Sequence, residues 1–211
     1  MRQFSVMDRV MMGVNDALST IFTVASDARK NPAADIAEKT LSEADKKNSI
    51  GCMRVNHTGE VCAQALYRGQ LSVCREQKTR DMLEHSCEEE TDHLAWTKAR
   101  LAELHGHTSY LNVLWYFNSY LIGVIAGLAG DRWSLGFVEE TEIQVAKHLD
   151  SHLEKLSEDD VKSRAIVTVM RDEEMQHEKA AVSAGAETLP LPIKKLMQVH
   201  SRVMTTIAYL V

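Results

Sequence analysis

Proline is scarce in this sequence, and its placement restricts the fold. Only three prolines occur, at positions 32, 190 and 192, so none interrupts residues 33–189. Because proline breaks the interior of a helix, this long stretch favours helices and disfavours a many-turned β-sandwich. The 45% hydrophobic content is typical of a globular chain, and 211 residues predict one domain with terminal appendages.

Paired cysteines, excess positive charge and targeting signals are also lacking. The four cysteines, at 52, 62, 74 and 87, form no CxxC pair, so a reduced environment is expected, with these thiols as small core residues. The net charge of −6 disfavours nucleic acid as a partner, because nucleic-acid-binding domains normally carry a basic face. The N-terminal segment has no secretory apolar core, and Asp8 and Asp16 argue against a transit peptide.

Helical periodicity runs through most of the chain. It predicts an amphipathic helix over 4–24, then a polar linker to 47 in which Ser42 and Asp45 occupy capping positions. Further helices are predicted over 48–76, 79–105, 131–156 with Asp131 as N-cap, from the 157–160 turn to about Gly185, and over 193–210. Two helical hairpins joined by a long crossover describe an all-α, ferritin-like four-helix bundle. We assign this bundle to 48–186, with amphipathic appendages at 1–47 and 187–211.

Two E-x-x-H motifs lie 84 residues apart, and a lone glutamate precedes them by 30 and 32 residues respectively. Residues i and i+3 share a helix face, so each motif can offer a carboxylate and an imidazole to one metal. The hairpin turns lie near the middle of each interval and bring each lone glutamate level with its motif. The six residues are Glu60, Glu90, His93, Glu142, Glu174 and His177. One glutamate from each of two helices and E-x-x-H from each of two others is the ligand set of di-iron carboxylate bundles.

The donor types favour a pair of intermediate or hard cations such as Fe or Mn. Four carboxylates in a bundle core would repel each other strongly without metal. Glu139 shares a helix face with Glu142, but choosing it would shift the level by about 4.5 Å along the helix, so we choose Glu142. Glu88, Glu89 and Glu173 are expected to be solvated surface residues.

The segments around these positions resemble the demethoxyubiquinone hydroxylase family of ubiquinone biosynthesis. The resemblance is carried by MRVNHTGEVCAQALYRGQ, EEETDHLAW, LAGDRWSLGFVEETE and RDEEMQH, and it extends from about Phe4 through SRVMTTIAYL. It implies the same six residues as ligands of two Fe ions per chain, with O2 as co-substrate. The implied reaction is a monooxygenase hydroxylation of a polyprenylated demethoxy-benzoquinol ring. The reductant would be external, with NADH as the candidate, because no glycine-rich nucleotide motif is present.

His148 is a candidate catalytic residue on the helix of Glu142. In the family that the chain resembles, this histidine lies beside the quinone pocket, where it would orient the ring or relay a proton. It is about 120° around the helix from Glu142, so it can border the site without binding metal. The alternative is an ordinary exposed helix histidine. Tyr67, two turns after Glu60, is expected to be a core residue rather than a shield for the metals.

Residues 108–130 form a run of 23 positions without a charge. As a helix, this run could cross about 30 Å of hydrocarbon. A ferritin-like crossover lies along the bundle, however, so we expect an in-plane helix in one leaflet, with Trp115, Tyr116 and Tyr120 at headgroup level. A buried crossover and a dimer interface are the alternatives. Lys194 and the other cations of the last helix, Lys195 and Arg202, suit anionic headgroups.

These expectations place the protein peripherally on the cytoplasmic face of a membrane, which in a bacterium is the inner membrane. Its expected partners are a prenylated quinol, the membrane surface, other ubiquinone-biosynthesis proteins and a second copy of the chain. Other ferritin-like di-iron functions remain alternatives: iron storage, peroxide scavenging and tRNA hydroxylation. A non-enzymatic helical membrane protein would leave the buried carboxylates unexplained.

Overall fold

The computed structural model describes residues 6–22 and 29–211, and the regular elements within them are all helices. The helices are α1 (Val6–Phe22), α2 (Glu43–Val73), α3 (Gln77–Glu103), α4 (Asn112–Leu128), α5 (Asp131–Lys155), α6 (Val161–Ala184) and α7 (Leu191–Leu210). This arrangement confirms the predicted all-α fold. Residues 4, 5, 23 and 24 of the predicted first helix lie outside the described residues. In the part of the chain that is described, no helix combines the length and apolarity needed to span a bilayer.

Helices α2, α3, α5 and α6 form the four-helix bundle. Helix α2 packs on α3, α5 packs on α6, and the two hairpins meet through contacts between α2 and α5 and between α3 and α6. The Gln70 side chain donates a hydrogen bond of 2.8 Å to the carbonyl of Ser134, which joins the end of α2 to the start of α5. One apolar cluster includes Trp96 and Met170, and another includes Val138 and Tyr67, the latter fully buried as expected.

Capping side chains set the ends of two bundle helices. The Ser42 hydroxyl accepts a hydrogen bond from the Asp45 amide, so α2 begins at Glu43, ahead of the predicted residue 48. The Asp160 carboxylate caps α6 by accepting from the Ser163 amide at 3.1 Å. Gly185, with φ of 109°, ends α6 in the left-handed region that favours glycine.

The prediction that Asp131 caps α5 was wrong. Gly130 is the N-cap, and Asp131 lies in the first turn of the helix. Its carboxylate instead accepts hydrogen bonds from the backbone amides of Arg75 and Glu76, at 3.3 and 2.9 Å. The same acidic side chain therefore fastens the start of α5 to the turn between α2 and α3.

Helix α4 is the crossover, and it lies along α2. Glycines allow the two backbones to approach closely, because a Cβ at Gly123 would collide with the carbonyl oxygen of Leu66, and one at Gly69 with that of Tyr120. The opposite face of α4 is an apolar stripe in which each side chain is 57–68% exposed. We call it the α4 stripe; it consists of Leu114, Phe117, Leu121, Ile125 and Leu128. The crossover is therefore buried on one face and open on the other.

Helix α7 packs across α2 and α5. At its start, Lys194 forms an ion pair of 2.7 Å with Glu140, so this cation already has a carboxylate partner. At its end, the Tyr209 hydroxyl donates to Asn48 at 3.0 Å, and Arg54 donates to the Tyr209 carbonyl at 3.0 Å. A second exposed apolar stripe runs along α7 through Leu196, Val199, Val203 and Leu210.

Candidate metal centre

Six acidic and imidazole side chains converge in the middle of the bundle, and each is at most 4% exposed. Their ligand atoms form two groups, within each of which all atoms lie within 4.8 Å of one another. The first group is Glu60, Glu90, His93 and Glu174, and the second is Glu90, Glu142, Glu174 and His177. Glu90 and Glu174 belong to both groups and so lie between them. All six residues singled out from the sequence are brought together, and Glu139 is in neither group.

The electrostatics of the cluster favour bound cations. Burial and the charge of Glu90 raise the pKa of Glu60 well above its ordinary value. Burial and the charge of Glu174 do the same to Glu142. Among the described residues, one oxygen each of Glu90, Glu142 and Glu174 accepts no hydrogen bond. Two divalent cations would relieve this repulsion and occupy these oxygens, so the donor set fits a dinuclear site.

Both imidazoles direct Nδ1 towards the carboxylates. His93 Nδ1 lies 3.0 Å from Glu90 Oε2 and 3.4 Å from Glu174 Oε1. His177 Nδ1 lies 3.3 Å from Glu174 Oε2 and 3.4 Å from Glu90 Oε1. Each ring therefore reaches both shared carboxylates, and the two halves of the site are related by an approximate two-fold repeat.

Two further glutamates hold the outer nitrogens of these rings. His93 Nε2 lies 2.8 Å from Glu173 Oε2, and His177 Nε2 lies 2.7 Å from Glu89 Oε2. The expectation that Glu89 and Glu173 are solvated surface residues was therefore wrong. Although burial alone would raise it, hydrogen bonds from His93 and Arg29 lower the pKa of Glu173 to about 2.

The sequence carried a signal for this pair. Each of the two glutamates immediately precedes the glutamate of an E-x-x-H motif, so the doublet repeats at the same spacing of 84 residues. Each doublet divides its work between the hairpins. One glutamate joins the central cluster, while its neighbour crosses to the histidine of the other half.

An apolar cavity of about 340 Å³ lies beside the cluster, between α2, α4, α5 and α7. Gly59 and Ala63, which flank Glu60 on α2, line it, as do Thr141 and Val145, which flank Glu142 on α5. A Cβ at Gly59 would meet no atom within 4 Å. The far side is closed by α4 and α7, where His200 Nε2 lies 2.7 Å from Asn118 Oδ1. A cavity of this size and lining is typical of a small-molecule site.

His148 lies one turn beyond the cavity-lining residues Gln144 and Val145 of α5, and is not itself among the described residues that line it. It is half-buried rather than an exposed helix histidine, and its ring lies 4.0 Å from that of His152 between centroids. Burial lowers the pKa of His148 to about 4 and that of His152 to about 2. Both imidazoles are therefore neutral near pH 7.

Comparison with known proteins assigns the family. Residues 47–208 match the family described as ubiquinone biosynthesis protein COQ7. A protein of Coxiella burnetii (strain CbuG_Q212) named 3-demethoxyubiquinol 3-hydroxylase is 52% identical over 208 residues, which is 99% of this chain and 97% of that protein. Proteins of the same name from Polynucleobacter asymbioticus and Chromobacterium violaceum are 52% and 49% identical, each over 97% of this chain and 99% of theirs. The chain thus belongs to the COQ7 family of ubiquinone biosynthesis proteins.

Proposed function

We propose that this chain is a 3-demethoxyubiquinol 3-hydroxylase, a monooxygenase that adds a hydroxyl group to the ring of a polyprenylated demethoxy-benzoquinol. The observation that carries this proposal is the pairing of a buried Glu/His cluster with an apolar cavity along Glu60 and Glu142. The names of relatives about 50% identical over nearly the whole chain support the same reaction. They favour it over iron storage, peroxide scavenging and tRNA hydroxylation.

The cluster would hold two iron ions. Glu60 and His93 would serve one ion, Glu142 and His177 the other, with Glu90 and Glu174 shared between them. When bound, such a pair activates dioxygen and supplies the oxygen atom that enters the ring. We propose that the electrons come from an external reductant, with NADH as the candidate.

The protein side chains prepare this site by fixing the histidine rings. Glu173 and Glu89 accept hydrogen bonds from the outer Nε2 atoms, which selects the tautomer with a free electron pair on Nδ1. The two pairings cross between hairpins, so each ring is held by a helix other than its own. This cross-pairing keeps the ligand geometry tied to the packing of α3 on α6.

The cavity would take the quinol ring. Its mostly apolar lining, including Leu66, Ile122 and Phe137, excludes water from the cluster. Polar side chains at Thr141 and Gln144 lie on the α5 wall, where they could bind ring oxygens. We propose that His148, one turn further along α5, orients the ring or relays a proton as a neutral imidazole.

A substrate with a long isoprenoid tail resides in a bilayer, and the exposed apolar stripes suggest how the protein reaches it. The α4 stripe and the stripe on α7 belong to the two helices that close the far side of the cavity. We propose that both stripes lie in one leaflet of the cytoplasmic face of the membrane, so that the tail stays in lipid while the ring enters. Lys195 and Arg202 are exposed on α7 and would meet anionic headgroups. We also propose other ubiquinone-biosynthesis proteins and a second copy of the chain as partners.

The test is complementation of a bacterial strain that lacks its own demethoxyubiquinol hydroxylase. Wild-type protein should convert the accumulated demethoxyubiquinone into ubiquinone, measured by chromatography of the lipid extract. Gly59→Leu should fail because its side chain fills the cavity, whereas Gly59→Ala, whose Cβ enters open space, should complement. Failure of wild-type protein to restore ubiquinone would refute the proposed reaction. Equal complementation by all three proteins would refute the cavity as the ring site.

A further inference from the structure

Arg29 lies outside the bundle helices but reaches the outer side of the cluster. It belongs to the segment that precedes α2, and its side chain is 38% exposed. Its guanidinium binds Glu173 through two nitrogens, with Nη1–Oε1 at 2.6 Å and Nη2–Oε2 at 3.0 Å. Its Nε donates to Asp92, and the guanidinium carbon lies 5.0 Å from the centre of the Trp96 ring.

These contacts connect Arg29 to one histidine of the cluster. Glu173 Oε2 accepts from Arg29 and also lies 2.8 Å from His93 Nε2, so one carboxylate joins the two residues. The fork of two parallel bonds fixes the plane of the carboxylate, which a single bond would not. The contact with Glu89, which holds His177, is longer: Arg29 Nη1 lies 3.9 Å from Glu89 Oε1.

We propose that Arg29 is a positioning residue of the metal centre: by clamping Glu173 it fixes the ring of His93, and so tightens the half of the site to which His93 belongs. This inference rests on the proposed metal centre. It connects the segment that precedes α2 to the geometry of the cluster, about 60 residues further along the chain. The half containing His177 depends on Arg29 far less, because its outer partner Glu89 makes no fork with it.

The sign of the effect separates positioning from simple electrostatics. Removing a positive charge near a cation site would, by Coulomb's law alone, tighten cation binding. Loss of the clamp instead frees Glu173 and the His93 ring, which weakens binding. Loss of an outer-shell partner of a metal-bound histidine typically lowers metal affinity by about 10- to 100-fold. Arg29 acts through Glu173, so about tenfold is expected.

The experiment is titration of the full-length, chelator-treated protein with Co²⁺, followed by visible absorption. Wild-type protein should bind two ions. Arg29→Gln should bind one ion as the wild type does and the other about tenfold more weakly. Arg29→Lys keeps the charge without the fork and should weaken the same site by a smaller factor. Arg171→Gln is the matched control: Arg171 is 28% exposed and pairs with Asp150 and Asp172 away from the cluster.

A double-mutant cycle then asks whether Glu173 transmits the effect. In a Glu173→Gln background, Arg29→Gln should cause no further loss of Co²⁺ affinity, and circular dichroism should show unchanged helicity in each variant. Unchanged or tighter binding by Arg29→Gln overturns the proposal, as does an additive loss in the Glu173→Gln background. Wild-type protein that binds fewer than two ions overturns the metal centre itself, so the two failures are distinguishable.

Discussion

Replacing Leu121 with glutamate in the middle of the α4 stripe should release the protein from membranes. Leu121 is 59% exposed, and the other members of the stripe are similarly open. Fully burying a leucine side chain stabilises by about 1.5–3 kcal/mol, so the exposed part of Leu121 should contribute about 1–2 kcal/mol to membrane binding. A carboxylate at the same place adds a desolvation penalty of about 1 kcal/mol at shallow depth, less than the penalty at the bilayer centre.

The expected loss is therefore about 3 kcal/mol, or roughly a hundredfold in the partition coefficient. The assay is co-sedimentation of purified protein with phosphatidylcholine vesicles, because an uncharged lipid surface removes repulsion of the added carboxylate as an explanation. Adding Ile125→Glu, on the same face and 68% exposed, should reduce partitioning further.

Val182→Glu is the matched control. Val182 is 51% exposed on α6, outside both apolar stripes, so the same added charge should leave partitioning unchanged. A folded Leu121→Glu variant that binds vesicles as the wild type does would refute the membrane role of the stripe. Equal losses in the two variants would show that net charge, rather than the stripe, governs binding.

Three further predictions concern the bundle and its site. Glu174→Ala should abolish metal binding and turnover while circular dichroism shows retained helicity, because the apolar clusters built around Trp96 and Tyr67 are untouched; normal turnover would remove Glu174 from the site. His148→Ala should slow turnover without changing the metal content, and loss of metal or an unchanged rate would contradict its proposed role. Asp160→Ala removes a cap of α6 and the buried partner of Arg100 at 2.7 Å, so the free energy of unfolding should fall by about 3 kcal/mol in denaturant titrations at pH 7. Burial raises the pKa of Asp160, but hydrogen bonds and the charge of Arg100 outweigh it and hold the pKa below 3.8; the difference should thus be complete above that pH, shrink as acid protonates the carboxylate, and be refuted if it persists at pH 2.

Helix placement and the central cluster were accessible from the sequence because both depend on periodicity. The i, i+3 spacing within each E-x-x-H motif and the equal distances to the lone glutamates determine which helix levels meet in an antiparallel hairpin. The choice of Glu142 over Glu139 followed from that register, and Glu142 is the residue buried in the cluster.

The features that the sequence did not yield depend on single long-range contacts. Arg29 binds Glu173 across 144 positions, and no periodic pattern marks such a pair. The role of Asp131 depended on how the α2–α3 turn approaches α5, which local capping preference does not encode. The cavity requires α7 to pack back over α2 and α5, and this docking follows from tertiary contacts such as the pair of Lys194 and Glu140.

The most direct test of the central claim is the origin of the new ring oxygen. Iron-loaded protein, given a demethoxyubiquinol, a reductant and 18O2, should form hydroxylated product that carries one 18O atom, with about two irons bound per chain. The same reaction under 16O2 in H2(18)O should yield unlabelled product. Label that arrives from water, or no hydroxylated product from protein holding two irons, would contradict the account.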